Sequence, residues 1–229
     1  EGRVPARLIA GDEDSIVAYT TTRGMYENGQ PPSQFALIDG GWHCGFLDAS
    51  FFGCDSGSLP RAQQLQITRG LLTEFFNLYL QDEQPLWRPV WGPERNADPL
   101  VGLAIAAGVG LTPPSAAGSA LLGAEISYTL TVTNDGPLAS SFTVLVEDNA
   151  WPVTATPAQT AVLAPGQSSA VVVIVWPPAQ VAPGSDAALV SARRDADGGT
   201  RAYSQLTTDA ARFEATIADA STGLEVGWN

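Results

Sequence analysis

The residues best suited to chemistry stand just beyond two short apolar runs. Val4-Pro5-Ala6-Arg7-Leu8-Ile9-Ala10 runs into Gly11-Asp12-Glu13-Asp14, and Gln34-Phe35-Ala36-Leu37-Ile38 runs into Asp39-Gly40-Gly41-Trp42-His43-Cys44-Gly45-Phe46. His43 is the only histidine of the 229 residues, and Cys44 and Cys54 are the only cysteines. If both runs are buried strands of an open α/β sheet, their carboxyl ends are where reactive groups collect. A carboxylate at one end and an imidazole at the next can then meet as orienting acid and general base. The acid fixes the imidazole tautomer and stabilises the imidazolium that forms as the base takes a nucleophile's proton. The plainer alternatives are a turn carboxylate and a hydrogen-bonded loop histidine. Asp12 and Glu13 read as solvated loop acids. Asp48 and Asp55 flank the cysteine loop and read as caps or turn residues.

Cys44 and Cys54 enclose nine residues. In a reducing compartment they would be free thiols; in a lysine-free chain bearing a β-sandwich they read as a disulfide. A bridge there stabilises by roughly 2–3 kcal/mol and pins the segment after His43. The sharper alternative is a catalytic Cys44, weakened because sequence neighbours on an extended segment point to opposite sides. Trp42, Phe46, Phe51 and Phe52 cluster around the histidine in sequence. They would form either an apolar substrate rim, led by Trp42 and Phe46, or packing under the cysteine loop. Trp87 and Trp91 read as a seal between the two halves of the chain.

These residues need elements to position them. A short helix is expected around Thr22 to Asn28, stopped by Gly29 and Pro31-Pro32. A long helix is expected from Pro60 to Gln81, with Leu65, Thr68, Leu72, Phe75, Phe76 and Tyr79 as its buried stripe. Strand, helix, strand, helix is α/β texture. The second half changes character. Glu125 to Thr133 alternates with period two into Asn134-Asp135-Gly136, and Phe142 to Val146, Ser168 to Trp176, Ala187 to Ala192 and Arg201 to Leu206 follow as strands. Asp195 to Gly199 reads as a hairpin loop, a better reading than the start of a calcium loop. Residues 113–118 read as a loop, and the tail after Thr208 as either a further strand or a lead into more sequence. The expected organisation is 1–98 in α/β texture and 99–229 as an immunoglobulin-like β-sandwich.

Composition narrows the function. The chain carries 11 arginines, no lysine and 24 acids, a net charge of −13. That balance argues against nucleic acid or an anionic membrane as partner. One histidine and two cysteines cannot assemble a Cys₂His₂ or Cys₄ zinc site, and no metal or cofactor is expected. No apolar run reaches about 18 residues; Val101 to Leu111 is shorter and holds three glycines, so no membrane span is expected.

Residues 4–95 resemble the C-terminal portion of secreted bacterial α/β-hydrolases. Leu8-Ile9-Ala10-Gly11-Asp12-Glu13-Asp14-Ser15-Ile16-Val17 is similar to that family's strand-plus-acid segment, and the resemblance makes Asp14 the triad acid. Met25 to His43 is similar to the next helix and strand and makes His43 the triad histidine. Cys44-Gly45-Phe46, Cys54 and the long helix follow as in secreted members. No Gly-x-Ser-x-Gly occurs, so the nucleophile elbow is missing. The resemblance therefore implies part of a secreted serine ester hydrolase with an incomplete sheet. Its partner would be the remainder of that domain, upstream in a longer precursor or in a separate chain, and this chain alone would be inactive. Residues 122–208 resemble bacterial cell-surface immunoglobulin-like modules. The rival expectation is a non-catalytic assembly subunit of an extracellular or cell-surface complex derived from a hydrolase; a carbohydrate- or protein-binding module is a third.

Overall fold

A computed structural model describes residues 4–95, 97–213, 215–218 and 225–228. The chain opens with β1 (Ala6–Gly11), α1 (Tyr19–Glu27) and β2 (Ser33–Ile38), followed by α2 (Arg61–Leu80), a short α3 (Trp87–Val90) and β3 (Val101–Ala106). β1 and β2 are parallel, and β3 returns antiparallel on the far side of β2, giving a three-stranded sheet in the order β1-β2-β3. The small sheet therefore takes strands from both sides of residue 98. Ala36 and Ile38 of β2 pack with Leu59, Ile67 and Val101 beneath α2.

The rest of the chain is almost wholly strand: β4 (Gly110–Thr112), β5 (Ser115–Leu121), β6 (Ile126–Thr133), β7 (Phe142–Glu147), β8 (Val153–Thr156), β9 (Ser168–Val175), β10 (Gly184–Arg194) and β11 (Arg201–Ala211), then β12 (Ala215–Ala218) paired with β13 (Glu225–Trp228). Two four-stranded sheets, β4-β6-β9-β8 and β5-β11-β10-β7, form an immunoglobulin-like β-sandwich. Period-two alternation aims one face of each strand inward. Tyr128, Leu130 and Val132 of β6 and Val171, Val173 and Val175 of β9 meet Phe142, Val144, Val190 and Leu206 from the opposite sheet. No helix among the described residues is long and apolar enough to cross a membrane.

Several expectations change. The expected α/β-hydrolase C-terminal portion is corrected: among the described residues thirteen strands stand against three α-helices, and residues 4–95 supply one parallel strand pair closed by an antiparallel neighbour. An apolar strand, a helix and a second strand are generic parallel architecture and do not specify that family. The segment read as a loop at residues 113–118 enters β5, which pairs parallel to β11. The buried stripe of α2 is Gln64, Ile67, Phe75 and Leu78, which keeps the expected Phe75 but otherwise lies one residue off the hydrophobic count, and Phe76 is exposed. The phase is set by Gln64, a polar side chain that hydropathy alone leaves outside. Asp195 accepts hydrogen bonds from Ser141, Thr143 and Gln159, and Asp197 accepts from the N–H groups of Gly199 and Thr200, so these oxygens serve the hairpin.

The helices cover the outer face of the sandwich. Phe75 and Leu78 of α2, Trp87 and Val90 of α3, and Trp91 form one buried cluster with Leu189 of β10, which is the seal expected of the two tryptophans. The Trp87 ring lies against the guanidinium of Arg201, 4.8 Å from its centroid. Truncating this indole removes the centre of the cluster. Trp87→Ala is expected to cost about 3–5 kcal/mol in urea unfolding, whereas Phe52→Ala, at a fully exposed position, leaves the transition unchanged.

Candidate functional site

The ends of β1 and β2 are held together by backbone contact. Gly11 and Gly41 approach so closely that a Cβ on either would overlap the other's main chain, which is why glycine stands at both positions. Gly41 also donates to Ile38 O at 3.1 Å, and Glu13 donates to Gly41 O at 2.9 Å. The loop after β1 is tied further along by Glu13, whose carboxylate accepts the N–H of Ser58 at 2.6 Å and its hydroxyl at 2.8 Å. Glu13 is thus an exposed loop acid, as expected, that also ties the loop.

This register brings Asp14 and His43 together. Asp14 Oδ1 accepts the N–H groups of Ile16 at 3.0 Å and Val17 at 2.7 Å, and Oδ2 lies 3.0 Å from His43 Nδ1. The Asp14 side chain is 7% exposed and that of His43 is 39% exposed. An ionised carboxylate can only accept, so Nδ1 carries the proton of this bond and the neutral ring keeps its lone pair on Nε2. The arrangement can accept a proton or hydrogen bond at Nε2 and hold the resulting imidazolium against a largely buried carboxylate.

Three further devices hold the ring, and two of them carried no sequence signal. Asp55 accepts the N–H groups of His43 and Cys44, each at 3.0 Å, and of Ser15 at 3.2 Å. One carboxylate therefore staples the residue after Asp14 to the backbone of His43. Partial burial alone would raise this carboxyl, but the N–H groups of Cys44, His43 and Ser15 together hold it below its ordinary value. Gln64, fully buried, brackets the preceding peptide: it accepts the Trp42 N–H at 3.1 Å and donates to Trp42 O at 2.8 Å. The third device is the disulfide, which joins Cys44 to Cys54 and takes both thiols out of chemistry.

The residues expected to line a substrate rim lie elsewhere. Trp42 is buried, donates Nε1–H to Leu59 O at 3.0 Å and sits under the Arg61 guanidinium. Phe46 is partly buried and packs against the small sheet's core. Of the four aromatics around the histidine in sequence, Phe51 and Phe52, within the disulfide loop, are the exposed ones. Among the described residues no group of three or more His, Cys, Asp and Glu is placed to hold a metal ion, and no side chain hydrogen-bonds to His43 Nε2.

Fold and site together define a β-sandwich protein carrying a small sheet with a carboxylate-oriented histidine at its strand ends. No family model matches the chain, and no curated protein matches it. Solved structures resemble about half of it. The PapD-like domain 7 of human CEP192 is 13% identical, with a TM-score of 0.38 over 47% of this chain and 88% of that one. The E. coli chaperone DraB is 17% identical, with a TM-score of 0.37 over 49% and 60%. A Salmonella enterica SafA pilin–SafB chaperone complex is 16% identical, with a TM-score of 0.37 over 49% and 59%. These likenesses are faint and concern the fold alone. The hydrolase resemblance is corrected by the architecture itself, in which residues 4–95 give one parallel strand pair and most strands of the described residues belong to the two sheets of the sandwich. The ester-hydrolase function it implied, and the remainder of a hydrolase domain as partner, go with it.

The single histidine makes the site directly readable. The ¹⁵N shifts of His43 are expected to report the Nδ1–H tautomer of the neutral ring, and Asp14→Ala to give a mixture of tautomers. Asp55→Ala is expected to cost about 1–2 kcal/mol at neutral pH. Its depressed carboxyl contributes stability that is fully present above the unfolded value, near 3.8, and is lost as pH falls through the lower folded value. The gap between Asp55→Ala and the unsubstituted chain in urea unfolding should therefore close below about pH 3.8.

Proposed function

We propose that this chain is a partner-binding module of an extracytoplasmic assembly, and that Asp14–His43 is a proton acceptor presented to the partner at the interface. The observation that carries the reading is the side of β1, the edge strand of the small sheet, that pairs with no strand among the described residues. Ala6 and Asp12 donate to Pro32 O and Ile38 O, each at 3.2 Å. Alternation along a parallel ladder then turns Leu8 and Ala10 toward β2, and the N–H and C=O groups of Arg7 and Ile9 toward the open side. A row of free backbone groups is a template for a strand from another chain or segment.

The surroundings favour a protein there. Val4 before β1, Ile16 and Val17 after it, and Met25 on α1 are all exposed. Exposed apolar side chains before and after an open edge strand are what a partner covers. A strand laid along β1 would bring its neighbouring residues past Asp14 and toward the half-exposed His43. There a hydroxyl, thiol or ammonium group could donate to Nε2. The disulfide favours an oxidising compartment, and the net charge of −13 disfavours nucleic acid or an anionic lipid surface as that partner.

The test uses the protein as isolated from its native source. Native mass spectrometry is expected to find the chain in a species heavier than itself. The peptide spanning β1 is expected to exchange its amide hydrogens at least about tenfold more slowly in that species than in the separated chain. A species with the mass of one chain, whose β1 peptide exchanges at the same rate before and after denaturing purification and refolding, overturns the reading.

A further inference from the structure

The passage from the small sheet into the sandwich leaves a cavity of about 470 Å³, within the range that holds small molecules. One wall is apolar, built by Ile105, Ala107 and Val109 at the end of β3 and in the loop that follows. The lining also carries Arg95, Arg201 and Tyr203. Arg95 Nη1 donates to Gly92 O and to the Tyr203 hydroxyl, each at 2.8 Å, and its guanidinium lies 5.3 Å from the centroid of the Tyr203 ring. These contacts fix the direction of the fork but not its charge. No carboxylate of the described residues lies within 4.0 Å of Arg95, whereas Arg88, Arg194 and Arg201 all have one.

Arg201 is 3% exposed, spends its Nη groups on Glu147 and Gln84, and keeps an Nε–H without an acceptor. The lining thus has two guanidiniums and a single acid, Asp135, in a chain whose net charge is −13. Tyr203 accepts from Arg95, so its own O–H remains to donate. An unpaired guanidinium beside a free hydroxyl and an apolar wall matches one ligand chemistry. The carboxylate meets the fork in charge-assisted hydrogen bonds, and an apolar body fills the remaining space. Asp135 disfavours a second negative charge.

We propose that this cavity binds a small monocarboxylate with an aromatic or branched apolar body, its carboxylate on Arg95 and the Tyr203 hydroxyl, its body against Ile105, Ala107 and Val109. The site is separate from Asp14–His43 and stands without the partner-binding reading. The full chain would be titrated with phenylpropionate and, separately, with the neutral phenylpropanol, while its amide resonances are followed. The acid should produce saturable shifts at Arg95, Ala107 and Tyr203 with a dissociation constant on the order of 1 mM. The alcohol should bind about tenfold more weakly. Arg95→Gln should reduce the acid to the affinity of the alcohol. If that variant does not fold, Arg95→Lys replaces it, and should weaken the acid while still binding it better than the alcohol. Absence of saturable shifts at these residues, equal binding of acid and alcohol, or unchanged acid binding in the folded Arg95 variant overturns the proposal.

Discussion

β10 is buried on both faces, and the placement of everything outside the sandwich follows from that. Ala188, Val190 and Ala192 face the opposing sheet, while Leu189 faces outward among Phe75, Leu78, Trp87 and Trp91. A sandwich standing alone keeps its outer face polar. Here the outer face carries apolar Leu189 and the buried side chain of Ser191, and α2 and α3 cover it. Of the charged groups beneath them, Arg201 reaches Glu147 at 3.1 Å and Arg88 reaches the same carboxylate at 3.2 Å, while the Ser191 hydroxyl and the Arg201 Nε–H have no partner among the described residues. Burial pushes the Arg201 guanidinium down from its ordinary value and Glu147 opposes the shift. Such an arrangement favours one docking geometry more than it adds stability.

The candidate site is downstream of that docking. Once α2 is seated on β10, Gln64 in its first turns is fixed in space, and its amide brackets the Trp42 peptide. His43 is the next residue. Asp55 closes the other side by tying His43 to Ser15, and so to the loop in which Asp14 accepts from Ile16 and Val17. The 3.0 Å contact between carboxylate and imidazole therefore depends on helix packing, a buried amide and a stapling carboxylate, and not on the two side chains alone. A site built on locked supports keeps its geometry at small entropic cost.

How much of this was legible in the sequence follows from which forces leave a pattern. Alternation in residues 125–133 and the valine run of residues 168–175 announced β6 and β9, because burial on one face imposes period two. The juxtaposition of Asp14 and His43 could be anticipated because both follow apolar runs that end in glycine. Polar burial left no such mark. Gln64 is fully buried while Phe76 is exposed, so the stripe on α2, Phe75 apart, was read one residue out of phase. Asp55 looked like a turn residue since nothing local shows which amides it will meet. β5 was hidden for a related reason. Its Ala, Gly and Ser residues have little strand propensity, and its parallel pairing with β11 is a contact some ninety residues away. Family resemblance failed at the same level: strand ends bearing an acid and a histidine constrain a site, and many folds can supply such ends.

What the Asp14–His43 pair accomplishes is decided on the outer side of the ring. Asp14 is almost wholly enclosed and both its oxygens are occupied, so the pair's inner half is complete. Nε2 meets no side chain among the described residues, and its default partner is water. In water an oriented imidazole gains little over a free one, because the carboxylate's field is screened where the ring is exposed. The pairing acquires chemical weight only when something excludes solvent from the Nε2 side and brings a donor with it. The open edge of β1 runs into the loop that carries Asp14, and the exposed Ile16 and Val17 follow Asp14 in that loop. A partner strand seated there would supply both conditions in one step, and the unfinished edge and the unfinished site are then the same feature of the fold.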